Sequence, residues 1–238
     1  MATRDKVFAV LSDRIGVSAL CAHGYLAVDL FFVLSGAVIA HAYEGRIFSR
    51  KLSVGSFVLT RIIRLWPLIA LGTFIGACAE TLRPGTDMSL HHVAHVAMAM
   101  FQSFVLLPDF SNSFMEDAIF PLNGPTWSLF FEIVANLAFI PVMLTRKSWV
   151  LAIILSVLSL ALLVVSAVSV GGITEGPTHK GFTGGFARVF FSFSIGYLIS
   201  ILDFKLYVRN GRIIAPVLLA AIFIMPLMSQ PLELLFNL

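Results

Sequence analysis

Charge is what this 238-residue chain has least of. Charged side chains make up 12% of it, about half the share of an ordinary soluble domain, too few to cover a water-facing surface. No basic run or interleaved basic–aromatic pattern occurs, which argues against nucleic-acid binding. Two cysteines, Cys21 and Cys78, do not make a disulfide framework and read as small apolar fillers. The apolar run Val7–Leu11 is broken at once by Asp13 and Arg14, so it is too short for a signal peptide or a spanning helix. There is no internal repeat and no soluble domain.

What remains is apolar. Hydrophobic residues are 58% of the chain with 22 Phe, and mean hydropathy is +0.94. These values specify an all-α polytopic transmembrane helix bundle of about six to seven spans. Residues 1–22 form an exposed or interfacial lead-in and 23–238 one membrane helical domain. The first span is Tyr25–Tyr43. Others are expected at about 57–79, 125–144, 148–170, 184–202 and 213–230, with a less certain one at 90–107 that opens on His91, His92 and His95. His91 and His95 lie one helical turn apart, but no acidic residue or cysteine joins them, so they read as an interfacial polar face and no metal site is assigned.

Loop charge orients the bundle. Arg46, Arg50 and Lys51 mark the first loop as cytosolic, and Arg146-Lys147 and Lys205/Arg209/Arg212 are the other basic connections. Placing all three inside requires an even number of crossings between residues 79 and 125. The 90–107 segment is therefore expected to be re-entrant or interfacial; the alternative is a crossing that leaves one basic loop outside.

Polar residues inside the spans are the candidate functional groups. Asp29 sits in the first span and shares a face with Val33, Gly36 and Ala40, whose small side chains let a second helix approach closely. Arg61 and Arg64 are three apart, which predicts one face of the second span. With Arg46, Arg50 and Lys51 they offer a seat for phosphates, or simply a helix end snorkelling to lipid headgroups. Asn123-Gly-Pro125 predicts a turn into a helix. Trp127 then falls at the membrane interface, and Ser128 and Glu132 at i, i+4 share a face. An intramembrane Glu is a functional candidate by default, its alternative being a structural ion pair with Arg61, Arg64 or Arg188. His41 ends the first span, where it is expected to meet Arg61, and His23 precedes it; either could act as a general base. Burying Asp29, Arg61, Arg64, Glu132 and Arg188 unpaired would be too costly, so at least one Arg–carboxylate contact is expected, around an inward cavity open to the cytosol.

Three of these stretches, in this order, carry a resemblance: Gly24–Gly36 (GYLAVDLFFVLSG), Arg61–Pro67 (RIIRLWP) and Asn123–Glu132 (NGPTWSLFFE). Together they resemble the signatures of the acyltransferase family 3 membrane proteins, and Arg188 with its following Phe and Gly is similar to a later helix of that family. The resemblance implies an integral enzyme of the inner (plasma) membrane, transferring an acyl group, expected to be acetyl, from cytosolic acyl-CoA to a hydroxyl of a carbohydrate or lipid-linked sugar. It implies no bound cofactor. It places catalytic chemistry on Glu132, Asp29, His23 and His41, and substrate binding on Arg61, Arg64, Trp127, Ser128, Asn123 and Arg188. The family's general base looks to be a His in a helix before the first signature. Residues 1–22 hold no His, so the chain is expected to be the central part of the fold, lacking first and last helices, and a poor enzyme or none. The rival class is a membrane carrier or flippase with Asp29, Glu132 and the arginines as a path; broken inverted repeats would favour it, and none is seen.

Overall fold

The computed structural model describes residues 24–83, 89–110, 117–170 and 176–202. The lead-in 1–22, His23 and the span expected at 213–230 lie outside the described residues. Residues 32–203 make up one unit. Residues 24–31 belong to a second unit and appear here only as the first turns of their helix.

Every described element but an isolated bridge is helical. In chain order they are α1 (Gly24–Ile39), α2 (Gly45–Phe48), α3 (Val54–Thr81), α4 (Leu90–Phe104), α5 (Thr126–Met143), α6 (Ser148–Val170) and α7 (Phe182–Ile201). Among the described residues five helical stretches are long and apolar enough to cross a membrane: Leu26–Phe48, Val54–Thr81, Thr126–Met143, Ser148–Ser169 and Phe182–Ile201. The chain is a multi-pass helical bundle. Side chains start the helices where the sequence offers a cap: Ser53 accepts from the Ser56 N–H at α3, and Ser89 from the His92 N–H at α4.

Between α1 and α2 the backbone widens into a π-helix at Ala40–Glu44. Each π turn holds more residues than an α turn, so side chains after it point elsewhere than α-helical spacing predicts. His41 is exposed and does not meet Arg61. Tyr43, two residues on, does: the Arg61 guanidinium lies 4.8 Å from its ring centroid.

The face predicted for close approach on α1 is used. A Cβ on Gly36 would stand 2.0 Å from the Phe193 carbonyl oxygen, and one on Gly196 1.8 Å from that of Val33. α1 and α7 thus cross backbone to backbone through two reciprocal glycines. A second pair on α3 does something the sequence did not suggest. Gly72 and Gly76 have the spacing of a helix-dimer motif, yet they face a loop, with Asn123 against Gly72 and the Leu122 carbonyl against Gly76.

The buried side chains of α3 are Phe57, Arg61, Leu65, Ile69, Thr73 and Ala77. This is a strict every-fourth row, the ridge along which one helix packs across another. Arg64 is off that row and is exposed. The expectation that Arg61 and Arg64 share one face is corrected accordingly: three residues turn the helix back by about 60°, four turn it forward by about 40°.

α4 resolves the uncertain crossing. At fifteen residues it is shorter than the ~20 a span requires. It runs back along α3 from the Ala77–Val96–Ala99–Leu122 cluster only as far as Trp66, whose indole N–H donates to the Phe104 carbonyl at 3.1 Å. The chain then returns. Asp109 N–H donates to the Ile119 carbonyl at 2.9 Å, Ile119 N–H to that of Pro177 at 3.1 Å, and His179 N–H to that of Asp117 at 2.9 Å. Leu122 in turn lies on Gly76, near the end of α3 where α4 began. The segment enters and leaves at one end of the bundle, as a re-entrant arm does.

Candidate functional site

A polar group in an apolar bundle must find a partner or stand at a cost of about 1–3 kcal/mol. Where such groups gather between α1, α3 and α5, the structure leaves several without one. Glu132, 2% exposed, projects from α5, and its Oε1 accepts a hydrogen bond from Ser35 Oγ on α1 at 2.9 Å. Its Oε2 is buried and has no hydrogen-bond partner among the described residues. Arg61, 4% exposed, comes from α3. Its guanidinium lies 4.8 Å from the Tyr43 ring centroid and 5.7 Å from that of Phe57, an attraction worth about 0.5–2 kcal/mol. Its Nε and Nη2 have no hydrogen-bond partner among the described residues.

Arg61 and Arg64 both act electrostatically on the Glu132 carboxylate. The arginine contact expected for Glu132 is not made as a hydrogen bond or ion pair among the described residues; the arginines act on its carboxylate only through space. Arg64 is exposed about 15 Å along α3. An arginine at that depth meets water or polar protein groups, since bare hydrocarbon is too costly for it.

One member of the cluster was missed in the sequence. Asn136, 2% exposed, is one helical turn beyond Glu132, and neither its Oδ1 nor its Nδ2 has a hydrogen-bond partner among the described residues. It shares a small cavity between α3 and α5 with Arg61, Phe57, Ile133 and Leu137. The available signal was its spacing: a polar residue at i+4 from an intramembrane carboxylate lies on the same face.

Other candidate residues lie apart from this cluster. The Ser128 hydroxyl, expected to join Glu132, donates instead to the Pro125 carbonyl at 2.9 Å; a serine in the first turn of a helix has that acceptor closer to hand. Asn123 Nδ2 donates a long 3.4 Å bond to the Ile69 carbonyl of α3 and so docks the loop. Trp127 is half-buried against Phe32 and Phe131, with ring centroids 6.5 and 6.1 Å away. Arg188 is buried in α7 and Asp29 half-buried in α1, and each is engaged with a neighbour.

His41 lines a second cleft of about 290 Å³ with Glu44, Ser148, Trp149 and Ser200, at the opposite end of the bundle from the Asp109–His179 ties. There Ser148 Oγ donates to Glu44 Oε1. The buried Tyr197 hydroxyl neighbours both groups without making a hydrogen bond of normal geometry. His91 and His95 lie on α4 away from both places, with His95 Nδ1 2.9 Å from the His91 carbonyl.

Chemically, the α1–α3–α5 cluster holds a carboxylate oxygen able to take a proton and two buried sets of N–H donors. Comparison with known proteins gives this arrangement a context. A family model described as an acyltransferase domain matches residues 6–233. A protein of Rhizobium radiobacter named "Protein 2 in picA locus" is 37% identical over 123 residues, which are 48% of this chain and 64% of that relative. The chain thus spans just under two thirds of that relative's length. No solved structure matches it.

Proposed function

The chain belongs to the acyltransferase 3 family, and on that premise we propose that it is an integral-membrane O-acyltransferase of the inner membrane. In this reading it moves an acyl group, acetyl first among those expected, from cytosolic acyl-CoA to a hydroxyl of a carbohydrate or lipid-linked sugar. The observation that carries the reading is the Glu132 carboxylate. Ser35 orients one oxygen, the other has no hydrogen-bond partner among the described residues, and buried arginine and amide donors lie beside it.

Among the described residues the carboxylate placed to take a proton is Glu132, and in this reading it serves as the base in place of the histidine that the resemblance assigns to that role. A hydroxyl held against Oε2 loses its proton there as its oxygen attacks the thioester carbonyl. The carbon–sulfur bond then breaks, and the proton passes on to the departing thiolate of coenzyme A. Arg46, Arg50 and Lys51, with Arg64, seat the phosphates of the donor. Arg61 lies about 10 Å along α3 from its start at Val54, a depth the slender pantetheine arm can reach while the nucleotide stays at the mouth. Trp127, about one and a half helical turns from Glu132 toward the α5 start, offers a ring edge to the sugar. Family membership supports an enzyme over a carrier.

The test uses the purified chain in proteoliposomes with labelled acetyl-CoA and a cell-envelope glycolipid and polysaccharide fraction. Label should move to the acceptor as free thiol appears. Glu132→Gln should cut the rate by about 10²–10⁴-fold, the usual cost of losing general-base help. A chain that transfers nothing from acetyl-, propionyl- or longer acyl-CoA, or a Glu132→Gln variant at full rate, overturns the reading.

A further inference from the structure

At the end of the bundle that loop charge marks as cytosolic, Glu44 stands between two open hollows. One, of about 290 Å³, is lined by Glu44, Ser148 and Trp149 among others. The other, of about 480 Å³, is lined by Glu44, Thr145 and Arg146 among others. Small-molecule sites run from about 300 to 1,000 Å³, so adjoining hollows of this size have room for a base and its sugar phosphate. Glu44 closes the π turn, a backbone irregularity that recurs at functional sites. The Ser148 hydroxyl fixes its carboxylate by donating to Oε1, and among the described residues no cation pairs with it. A carboxylate accepts about four hydrogen bonds. One that is fixed and not neutralised at a cleft wall attracts N–H donors and repels phosphate. Trp149, 48% exposed, brings an indole ring to the same cleft. A tryptophan at the membrane interface ordinarily meets lipid headgroups, but this one shares its cleft with a carboxylate that turns anionic headgroups away. Arg146 is exposed and gives the adjoining hollow the opposite polarity, suited to a phosphate.

We propose that the two hollows seat the adenine nucleotide of the acyl donor. The base stacks on Trp149 with its exocyclic amine donating to Glu44, and the ribose 3′-phosphate meets Arg146. The inference rests on the acyl-CoA reading above and adds to it the element that recognises the base. A ring to stack on, an acceptor for the amine and a guanidinium for the phosphate are three different requirements, and residues around one carboxylate supply all of them. Arg46, exposed two residues beyond Glu44, stays available to the pyrophosphate. Tyr43, the residue before Glu44, packs on the Arg61 guanidinium. The seat therefore adjoins the cluster that holds Glu132, and the pantetheine arm leads from one to the other.

Binding tests the proposal without turnover. The purified full chain in lipid nanodiscs is loaded with labelled acetyl-CoA. It is then challenged with adenosine 3′,5′-bisphosphate, with the inosine counterpart, in which a carbonyl replaces the exocyclic amine, and with ATP. The adenosine compound should displace the label, and the inosine compound should be at least about 10-fold weaker, the loss for one hydrogen bond to a charged group. Glu44→Gln should abolish that preference, because an amide serves either base. Trp149→Ala should weaken both compounds alike by about 5-fold or more, the loss of one stacked ring. Arg146→Ala should erase the advantage of the bisphosphate over adenosine 5′-phosphate. A preference measured within one preparation does not depend on the fraction folded, so a merely structural effect of Glu44→Gln leaves it unmoved. Wild-type chain that binds acetyl-CoA without preferring the adenosine compound overturns the inference and leaves the reading of function standing. So does a preference that survives Glu44→Gln, or ATP that binds more tightly than acetyl-CoA. The preference in a chain that transfers no acyl group supports the seat and removes the transferase reading instead. A chain that binds neither acetyl-CoA nor the nucleotide overturns both.

Discussion

Gly36→Ala tests the α1–α7 crossing and the site it supports in one step. The new Cβ would stand 2.0 Å from the Phe193 carbonyl oxygen and 2.9 Å from its carbon. Carbon–oxygen contacts settle near 3.3–3.6 Å, so the helices must part by about 1.3 Å or more. Both offending atoms are backbone and cannot swing aside. Overpacking of this kind costs about 1–3 kcal/mol, and between membrane helices the lost contact is the association itself. At about 2–4 °C per kcal/mol for a chain of this size, the melting temperature in detergent should fall by roughly 2–12 °C. Ser35 is the next residue on α1, and its 2.9 Å bond to Glu132 would stretch past the hydrogen-bond limit. Misplacement near 1 Å costs on the order of 10²-fold in rate. Gly55→Ala is the control: its Cβ meets nothing within 4 Å, and in a helix alanine gains up to about 1 kcal/mol over glycine. If Gly36→Ala matches the wild-type chain in both melting and acyl transfer, the close crossing is not what holds Ser35 on Glu132.

Two further outcomes are expected. Arg64→Ala should raise the KM for acyl-CoA by about 10-fold or more, with kcat changed much less, because an exposed guanidinium binds a donor phosphate and touches no reacting atom; a fall confined to kcat in steady-state assays would contradict this. In a background with Cys21 and Cys78 replaced by serine, a cysteine at Ser49 should resist an impermeant thiol reagent in intact cells, while one at Lys180 should label, since the two exposed positions lie at opposite ends of the bundle; the reverse pattern would invert the topology.

Hydropathy made most of the bundle legible. The expected 57–79, 125–144, 148–170 and 184–202 spans lie within a few residues of α3, α5, α6 and α7, because the length of an apolar run and its polar flanks are local properties. The crossing parity around α4 was legible only as an inference from distant loop charges. What decides it is a set of backbone bonds between residues far apart in the chain, from Asp109 to Ile119 and from Ile119 to Pro177. Spacing rules worked where a helix is regular. They failed at His41, where the π turn intervenes, and at Arg64, where packing follows every fourth residue. Glu132 announced itself by its charge. Asn136 did not, because an uncharged polar residue in a span ordinarily reads as a bond between helices, and only its unpaired amide sets it apart.

The arm formed by α4 has one more consequence, for how such a chain can change. A helix that crosses is held to the thickness of the bilayer, and losing it would invert everything downstream. The arm carries neither constraint, since it leaves the bundle at the end where it entered. Its fifteen residues could be lengthened, shortened or replaced without altering which side α5, α6 and α7 begin on. The Trp66 indole and the Asp109 amide are the anchors such a change would have to keep. The region opposite the middle of α3 is thus open to variation in length and sequence, while the helices carrying Ser35, Arg61 and Glu132 are not.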